Sequence, residues 1–234
     1  MDRFPCFSGR KITPMTPFII PRTSTLHPML AALFLGWAGQ VQASIPTGAE
    51  NAVPLKAGDA APAVTVTTVD GSSFDLGRAF AAKPTILLFY RGGWCPFCNR
   101  QLSGIQEYQR KFLDLGYQIL AVGTDRPETL RATMDKDRLM YTLLSDRAMA
   151  AASAFHVAFR VAGDDAKKYA DHKIDLPEIP GEPGGRWLPV PAIFVIGKDG
   201  VIKFAEFNPN YRVRPPPEEI LAAAARAQSA ENPK

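Results

Sequence analysis

The chain has 234 residues, 46% of them apolar and 21% charged, with a formal charge of +4 and three cysteines. One globular core plus some excess fits this length, and the composition excludes disorder as the default state. The Lys and Arg residues are scattered, and the pairs Arg10-Lys11 and Lys167-Lys168 never extend into a run, so no nucleic-acid partner is expected despite a sequence pI near 9.0.

The first feature along the chain is the charge-free stretch Pro28 to Ala43, PMLAALFLGWAGQVQA, shorter than the roughly 20 residues of a membrane span. Arg3, Arg10, Lys11 and Arg22 precede it against Asp2 alone, and Val41-Gln42-Ala43 has the small-residue spacing of a cleavage site before Ser44. Residues 1–43 are therefore expected to be a secretory leader, with Met15 as an alternative start, and the protein is expected to be exported, to the periplasm in a bacterium. An uncleaved N-terminal anchor is the alternative, and would be the only membrane attachment. Four of the 27 basic and one of the 23 acidic residues lie in 1–43, so the remaining 191 residues carry +1 and retain only Cys95 and Cys98. Two cysteines in an exported chain imply an oxidising setting.

Residues 44–62, rich in Pro, Ala and Gly, read as a flexible entry segment, and the domain is expected over 63–230. Val64, Val66 and Val69 form a β-favouring run closed by the turn pair Asp70-Gly71, which predicts a hairpin with the segment around Phe74 and Leu76. Thr85 to Tyr90 is apolar without alternation, as in a strand buried on both faces. From Pro96, Leu102, Ile105, Tyr108 and Phe112 recur at helical spacing, predicting an amphipathic helix that ends near Gly116. A second buried strand over Tyr117–Val122, a helix over Pro127–Asp135, a strand over Tyr141–Leu144 and a helix over Arg147–Phe155 follow. Residues 162–189, with Pro177, Pro180, Gly181, Pro183, Gly184 and Gly185, break the rhythm and read as a surface insertion that is either mobile or close to the site. Strands over 192–196 and 201–204 flank Asp199-Gly200, and a last helix starts at Pro216-Pro217-Glu218-Glu219. Strand and helix alternate throughout, which predicts an α/β domain with a helix-covered sheet.

Reactive side chains concentrate at Trp94-Cys95-Pro96-Phe97-Cys98, where a buried strand meets an amphipathic helix. A thiolate at a helix start is favoured by unpaired amides and the macrodipole, which lower its pKa from about 8.5. Cys95 occupies that end; Cys98, three residues on, lies on the same face and is expected to be the more buried. Gly92-Gly93 is expected to turn the backbone and leave the first sulfur open. No metal site is expected, since a zinc centre needs two further ligands and His156 and His172 are separated by fifteen residues. A purely structural bridge over two residues constrains little chain entropy. His156 reads as a helix-end residue rather than a base.

The segment FYRGGWCPFCNRQL resembles the active-site motif of peroxiredoxin-like proteins of the AhpC/TSA group, in the thioredoxin-fold superfamily. AVGTDRPETL, YTLLSDRAMAAASAFHV, VPAIFVIGKDGVIKF and NYRVRPPPEEILAAA are similar to later segments of the same group, so the resemblance covers roughly residues 56 to 228 in order. It implies a thioredoxin-like fold, a central mixed β-sheet flanked by α-helices, with Pro191 as a cis-proline. It further implies Cys95 as peroxidatic thiol, Cys98 as resolving thiol, and Arg91, Arg212 or Arg214 as stabilisers of thiolate and peroxide. No cofactor is implied; the partners would be a peroxide and a thioredoxin-like dithiol reductant. The sequence departs from the group where a Pro and a Thr or Ser stand seven and three residues before the peroxidatic cysteine, since those positions are Leu88 and Gly92. An exported disulfide oxidoreductase acting on protein disulfides would use the same two sulfurs and is the alternative.

Overall fold

The computed structural model describes residues 45–231, so the expected leader lies outside the described residues. The strands are β1 (Thr65–Thr67), β2 (Ser73–Asp75), β3 (Thr85–Phe89), β4 (Gln118–Gly123), β5 (Thr142–Ser145), β6 (Ala158–Val161), β7 (Arg186–Pro189), β8 (Ala192–Ile196) and β9 (Ile202–Phe207). The helices are α1 (Leu76–Ala82), α2 (Pro96–Asp114), α3 (Pro127–Asp137), α4 (Ala150–Ala154), α5 (Gly163–Asp171) and α6 (Pro217–Glu231). Seven strands form one mixed sheet in the order β2-β1-β5-β4-β3-β8-β9, with β3, β4 and β5 parallel and β8 antiparallel to β3.

Side chains alternate across a strand, so β3 serves two cores at once. Ile86, Leu88 and Tyr90 face Leu102, Ile105 and Phe112 of α2 and Ile220, Ala223 and Ala224 of α6. Leu87 and Phe89 face the other way, onto Phe80 of α1, Ala151 and Ala152 of α4, and Phe155. The Phe155 ring lies 5.2 Å from Phe89 and 5.1 Å from Phe194, fixing that second layer with aromatic contacts. Such double burial explains why β3 reads as an unbroken apolar run.

Local signals account for the helix ends. The Asp75 carboxylate caps α1 by accepting from the Arg78 amide at 3.0 Å. Asp75→Ala is expected to cost about 1 kcal/mol, and to lower Tm by about 2–4 °C in a thermal melt. Gly116, at φ 84°, closes α2: its own amide bonds Leu113 and that of Tyr117 bonds Phe112, the paired pattern of a glycine-terminated helix.

Four expectations change. The helix predicted over Arg147–Phe155 shortens to α4, because the buried Asp146 carboxylate takes the amides of Ala151 and Ala152 while Met149 turns at φ 55°. Burial pushes the Asp146 carboxyl up to about 6 against the opposing effect of those amides. The entry segment is docked rather than loose: Thr47 bridges Arg160, and the amides of Gly58 and Ala61 bond Ile202 and Gly200. Residues 162–189 carry α5 and β7, and β7 pairs with β6, a strand absent from the sequence reading, in a separate two-stranded sheet. Finally, the described residues contain no cis peptide bond, so Pro191 is trans; Val190 runs on from β7 with its amide held by the Val157 carbonyl at 2.7 Å.

Candidate active site

The site forms where β3 ends in the first core and α2 begins. Cys95 is the N-cap of α2, with Pro96 in the first turn, where its missing amide hydrogen costs nothing. Cys98 follows on the inward face with Leu102 and Ile105. Both cysteines are free thiols, and both are buried, at 1% exposure for Cys95 and 0% for Cys98. The expected openness of Cys95 is thus not found, and the Trp94 indole lies against Gly92. Gly92, at φ 151°, has no room for a β-carbon, which would strike the Trp94 indole nitrogen, and one on Gly93 would strike the Thr133 hydroxyl.

The turn is held from beneath. Asp125, after β4, accepts from the Gly93 amide at 2.7 Å and from the Tyr90 hydroxyl at 3.3 Å. Burial raises the Asp125 carboxyl above its ordinary range, while the Gly93 and Tyr90 hydrogen bonds and the charge of Arg147 oppose the rise. The Asn99 side chain bonds the Gly93 carbonyl at 2.9 Å, and the Thr124 hydroxyl bonds the Arg91 carbonyl at 2.6 Å.

Each sulfur has an arginine of its own. Arg91, 4% exposed, places Nη1 4.0 Å from the Cys95 Sγ. Its guanidinium sits 4.0 Å from the Tyr211 ring centre, 4.9 Å from Trp94 and 5.5 Å from Tyr169, and Nη2 donates to the Tyr169 hydroxyl. Three rings hold the cation, and among the described residues no carboxylate pairs with it, so its charge remains available to the sulfur. Arg214 approaches Cys98 instead, with Nη2 3.8 Å from Sγ, Nε donating to the side-chain Oε1 of Gln101 at 2.9 Å and Nη1 to the backbone carbonyl of Val213 at 2.7 Å. Arg212 stays away from both sulfurs, exposed, with its guanidinium 5.6 Å from the Tyr211 ring.

The electrostatics divide the pair. The Cys95 thiol is lowered to about 6, chiefly by the hydrogen bond from the Cys98 thiol, with the Cys98 and Phe97 amides and the Arg91 charge assisting against the cost of burial. Cys98 moves well above the ordinary thiol value, because it donates to Cys95 and is deeply buried. One thiolate shared by two adjacent sulfurs therefore rests mainly on Cys95.

The structure brings together Cys95, Cys98, Arg91 and Arg214 from the sequence-predicted set, and leaves out Arg212. Pro191, although trans, borders a cavity of about 330 Å³ with Arg91, Tyr169 and Tyr211. His156 is exposed just after α4, a helix-end residue as expected. Tyr169, Tyr211, Asp125 and Gln101 were not singled out by the sequence; only the unpaired aromatic character of Tyr169 within the polar helix α5 gave a signal.

The model of the AhpC/TSA family matches residues 57–205. Peroxiredoxin Bcp of Escherichia coli K12 is 34% identical over 93 residues, which are 40% of this chain and 59% of Bcp. Chloroplastic peroxiredoxin Q of Populus jackii is 33% identical over 89 residues, 38% of this chain and 41% of that protein. The matched segment thus spans less than two thirds of either relative. Among solved structures, peroxidoxin BcpB of Mycobacterium tuberculosis superposes with a TM-score of 0.57 at 19% identity, covering 74% of this chain and 97% of its own. Reduced Prx3 of Vibrio vulnificus, solved in complex with hydrogen peroxide, gives 0.57 at 16% identity over 73% of this chain and 99% of its own. These likenesses establish the mixed sheet with flanking helices as a peroxiredoxin-type thioredoxin fold, and with the family match over most of the described residues the chain belongs to the AhpC/TSA family.

Proposed function

We propose that the protein is a thiol peroxidase that reduces hydrogen peroxide or organic hydroperoxides through Cys95 and Cys98. The observation that carries this reading is the buried pair itself: a Cys95 thiol lowered to about 6, an arginine beside it, and a second thiol three residues on. The Cys95 thiolate attacks one peroxide oxygen; the O–O bond breaks, the other oxygen leaves as water or alcohol after taking a proton, and Cys95 becomes a sulfenic acid. The Cys98 sulfur then attacks the Cys95 sulfur, an S–S bond forms, and the sulfenic oxygen leaves as water. Two electrons from an external dithiol of the thioredoxin-like class restore both thiols. The leader-like residues 1–43 support placing this chemistry in the periplasm.

Arg91 supplies a fixed cation where charge sits on sulfur and where the departing oxygen gains charge, the electrostatic role that a preorganised donor plays in other reactions. The absence of a hydroxyl at Gly92 leaves more of that task to the guanidinium. The asymmetric thiols also suit disulfide exchange with proteins, in which Cys95 forms the mixed disulfide and Cys98 releases it. The two readings separate in one experiment. Reduced protein mixed with one equivalent of peroxide is expected to lose two thiols much faster than free cysteine, giving the intramolecular disulfide by intact mass. Thiol loss no faster than for free cysteine, together with ready reduction of insulin, would instead establish the exchange enzyme.

A further inference from the structure

Within the polar helix α5 only Ala166 and Tyr169 are less than fully exposed. Three residues apart, they share one face of the helix and pack toward Val161, Leu176 and Leu188. This places the Tyr169 ring edge-on to Trp94 at 5.5 Å and its hydroxyl on Nη2 of Arg91, the arginine whose Nη1 is 4.0 Å from the Cys95 Sγ. One guanidinium thus joins the sulfur to a phenol. Arginine has no acceptor, so in this hydrogen bond the hydroxyl oxygen accepts, and the phenolic hydrogen is left to give. Among the described residues no acceptor takes it. The other hydroxyls around the turn are committed: Tyr90 donates to Asp125, Thr124 to the Arg91 carbonyl and Thr133 to the Thr129 carbonyl. The residues Arg91-Gly92-Gly93-Trp94 carry no hydroxyl of their own. Burial holds the Tyr169 hydroxyl above the ordinary tyrosine range against the lowering effect of the Arg91 charge, so it keeps its proton at neutral pH. Arg91 and Tyr169 also share a wall of the cavity of about 330 Å³, so both are reached from outside the fold.

We propose that Tyr169 is a catalytic residue whose hydroxyl donates to the peroxide oxygen that departs as Cys95 is oxidised. The inference rests on the peroxidase reading above and adds to it the source of the leaving group's proton. In-line attack fixes where that oxygen lies: the attacked oxygen stands about 3–3.5 Å from the sulfur in a reactive pose, and the departing one is a bond length beyond it. That is the region of the Arg91 guanidinium, and Tyr169 is hydrogen-bonded to its other terminal nitrogen. The Cys95 thiolate forms the S–O bond, the O–O electron pair stays with the departing oxygen, and that oxygen takes the Tyr169 proton to leave as water or alcohol. The phenolate left behind holds its charge against Arg91 and regains a proton from solvent through the cavity, the equivalent of the one released when the Cys95 thiol ionised. Cys95 is buried, so the peroxide reaches it as the cage gives way, and α5, without a buried residue, is the wall with least to lose.

The test compares reduced wild type with Tyr169→Phe, which keeps the ring against Trp94 and removes only the hydroxyl. Single-turnover oxidation by hydrogen peroxide and by peracetic acid is followed by stopped flow, and alkylation of Cys95 by iodoacetamide is followed by intact mass, all at neutral pH. Hydroxide is a poor leaving group that needs a donor, whereas acetate leaves the peracid with little help, and iodoacetamide has no departing oxygen. The variant is expected to lose on the order of 10² in rate with hydrogen peroxide and about threefold or less with peracetic acid, and to alkylate at the wild-type rate. The ratio of the two oxidation rates is the decisive quantity, because both oxidants use the same thiolate. A change in the acidity or exposure of Cys95, or a loosening of α5, cancels in it. An unchanged ratio would overturn the proposal, whether the two rates stay at the wild-type level or fall together, and would leave Tyr169 as a positioning residue for Arg91. Wild type oxidised by hydrogen peroxide no faster than free cysteine would instead overturn the peroxidase reading itself, and that is read from wild type alone.

Discussion

Cys95→Ser is expected to remove peroxide consumption by a factor on the order of 10³ or more, the scale on which an enzyme loses its covalent nucleophile. Cys98→Ser is expected to behave differently: the first oxidation proceeds, but the resulting sulfenic acid has no partner and accumulates as a species trapped by dimedone. Stopped-flow consumption of peroxide, followed by mass analysis of the quenched protein, checks both variants. The distinction matters because both sulfurs are buried and each has an arginine in reach, so proximity to a guanidinium does not choose between them. The lowered thiol of Cys95 against the raised thiol of Cys98 does. If Cys95→Ser still consumed peroxide while Cys98→Ser did not, the roles of the two sulfurs would be exchanged. Serine at position 98 keeps a hydroxyl able to donate to the Cys95 thiolate, so the second variant retains the principal cause of its acidity.

Replacing Arg91 by methionine, which keeps a long apolar stem among Trp94, Tyr169 and Tyr211, is expected to slow the oxidation by peroxide about 10²-fold at neutral pH. In wild type the rate depends on the fraction of Cys95 present as thiolate, which rises with pH. The profile is therefore expected to climb to its half-maximum near pH 6 and to be level above it, whereas a free thiol would reach half-maximum near 8.5. Removing the arginine charge takes away one of the influences that favour the thiolate, so the midpoint moves upward. The plateau at high pH also falls, since the departing oxygen loses its cation. A variant whose midpoint moved while its plateau stayed at the wild-type level would confine Arg91 to setting the acidity of Cys95. Peroxide kinetics from pH 5 to 9, with circular dichroism to show that the cation-free cage still folds, make this measurement.

Much of the architecture was legible because it rests on local rules. The apolar run Thr85–Tyr90 has no polar face to offer water and so read as an interior strand; the register of β3 between β4 and β8 places it there. Pro96 ahead of Leu102, Ile105 and Phe112 marked both the start and the buried face of α2, and with them the position of the two cysteines. Contacts across long sequence separations were not legible. Tyr169 reaches Arg91 over 78 residues and Arg214 reaches Cys98 over 116, and no periodicity carries that information. Arg212 and Arg214 stand two residues apart in an irregular segment, and only the path of that segment over Gln101 decides which guanidinium turns inward. The four residues of β6 were too few to show alternation, and they become a strand through their pairing with β7.

The helix α5 contributes Tyr169 to the arginine cage, yet none of its own residues is buried. Elements with so little core contact occupy the low end of a protein's ladder of local stabilities, where brief partial unfolding costs far less than opening the sheet. The guanidinium beside Cys95 is consequently bounded on one side by the end of a fully buried strand and on the other by a segment expected to exchange its amide protons early. Opening of that outer wall is the expected route by which a sulfur that is almost fully enclosed meets the solvent.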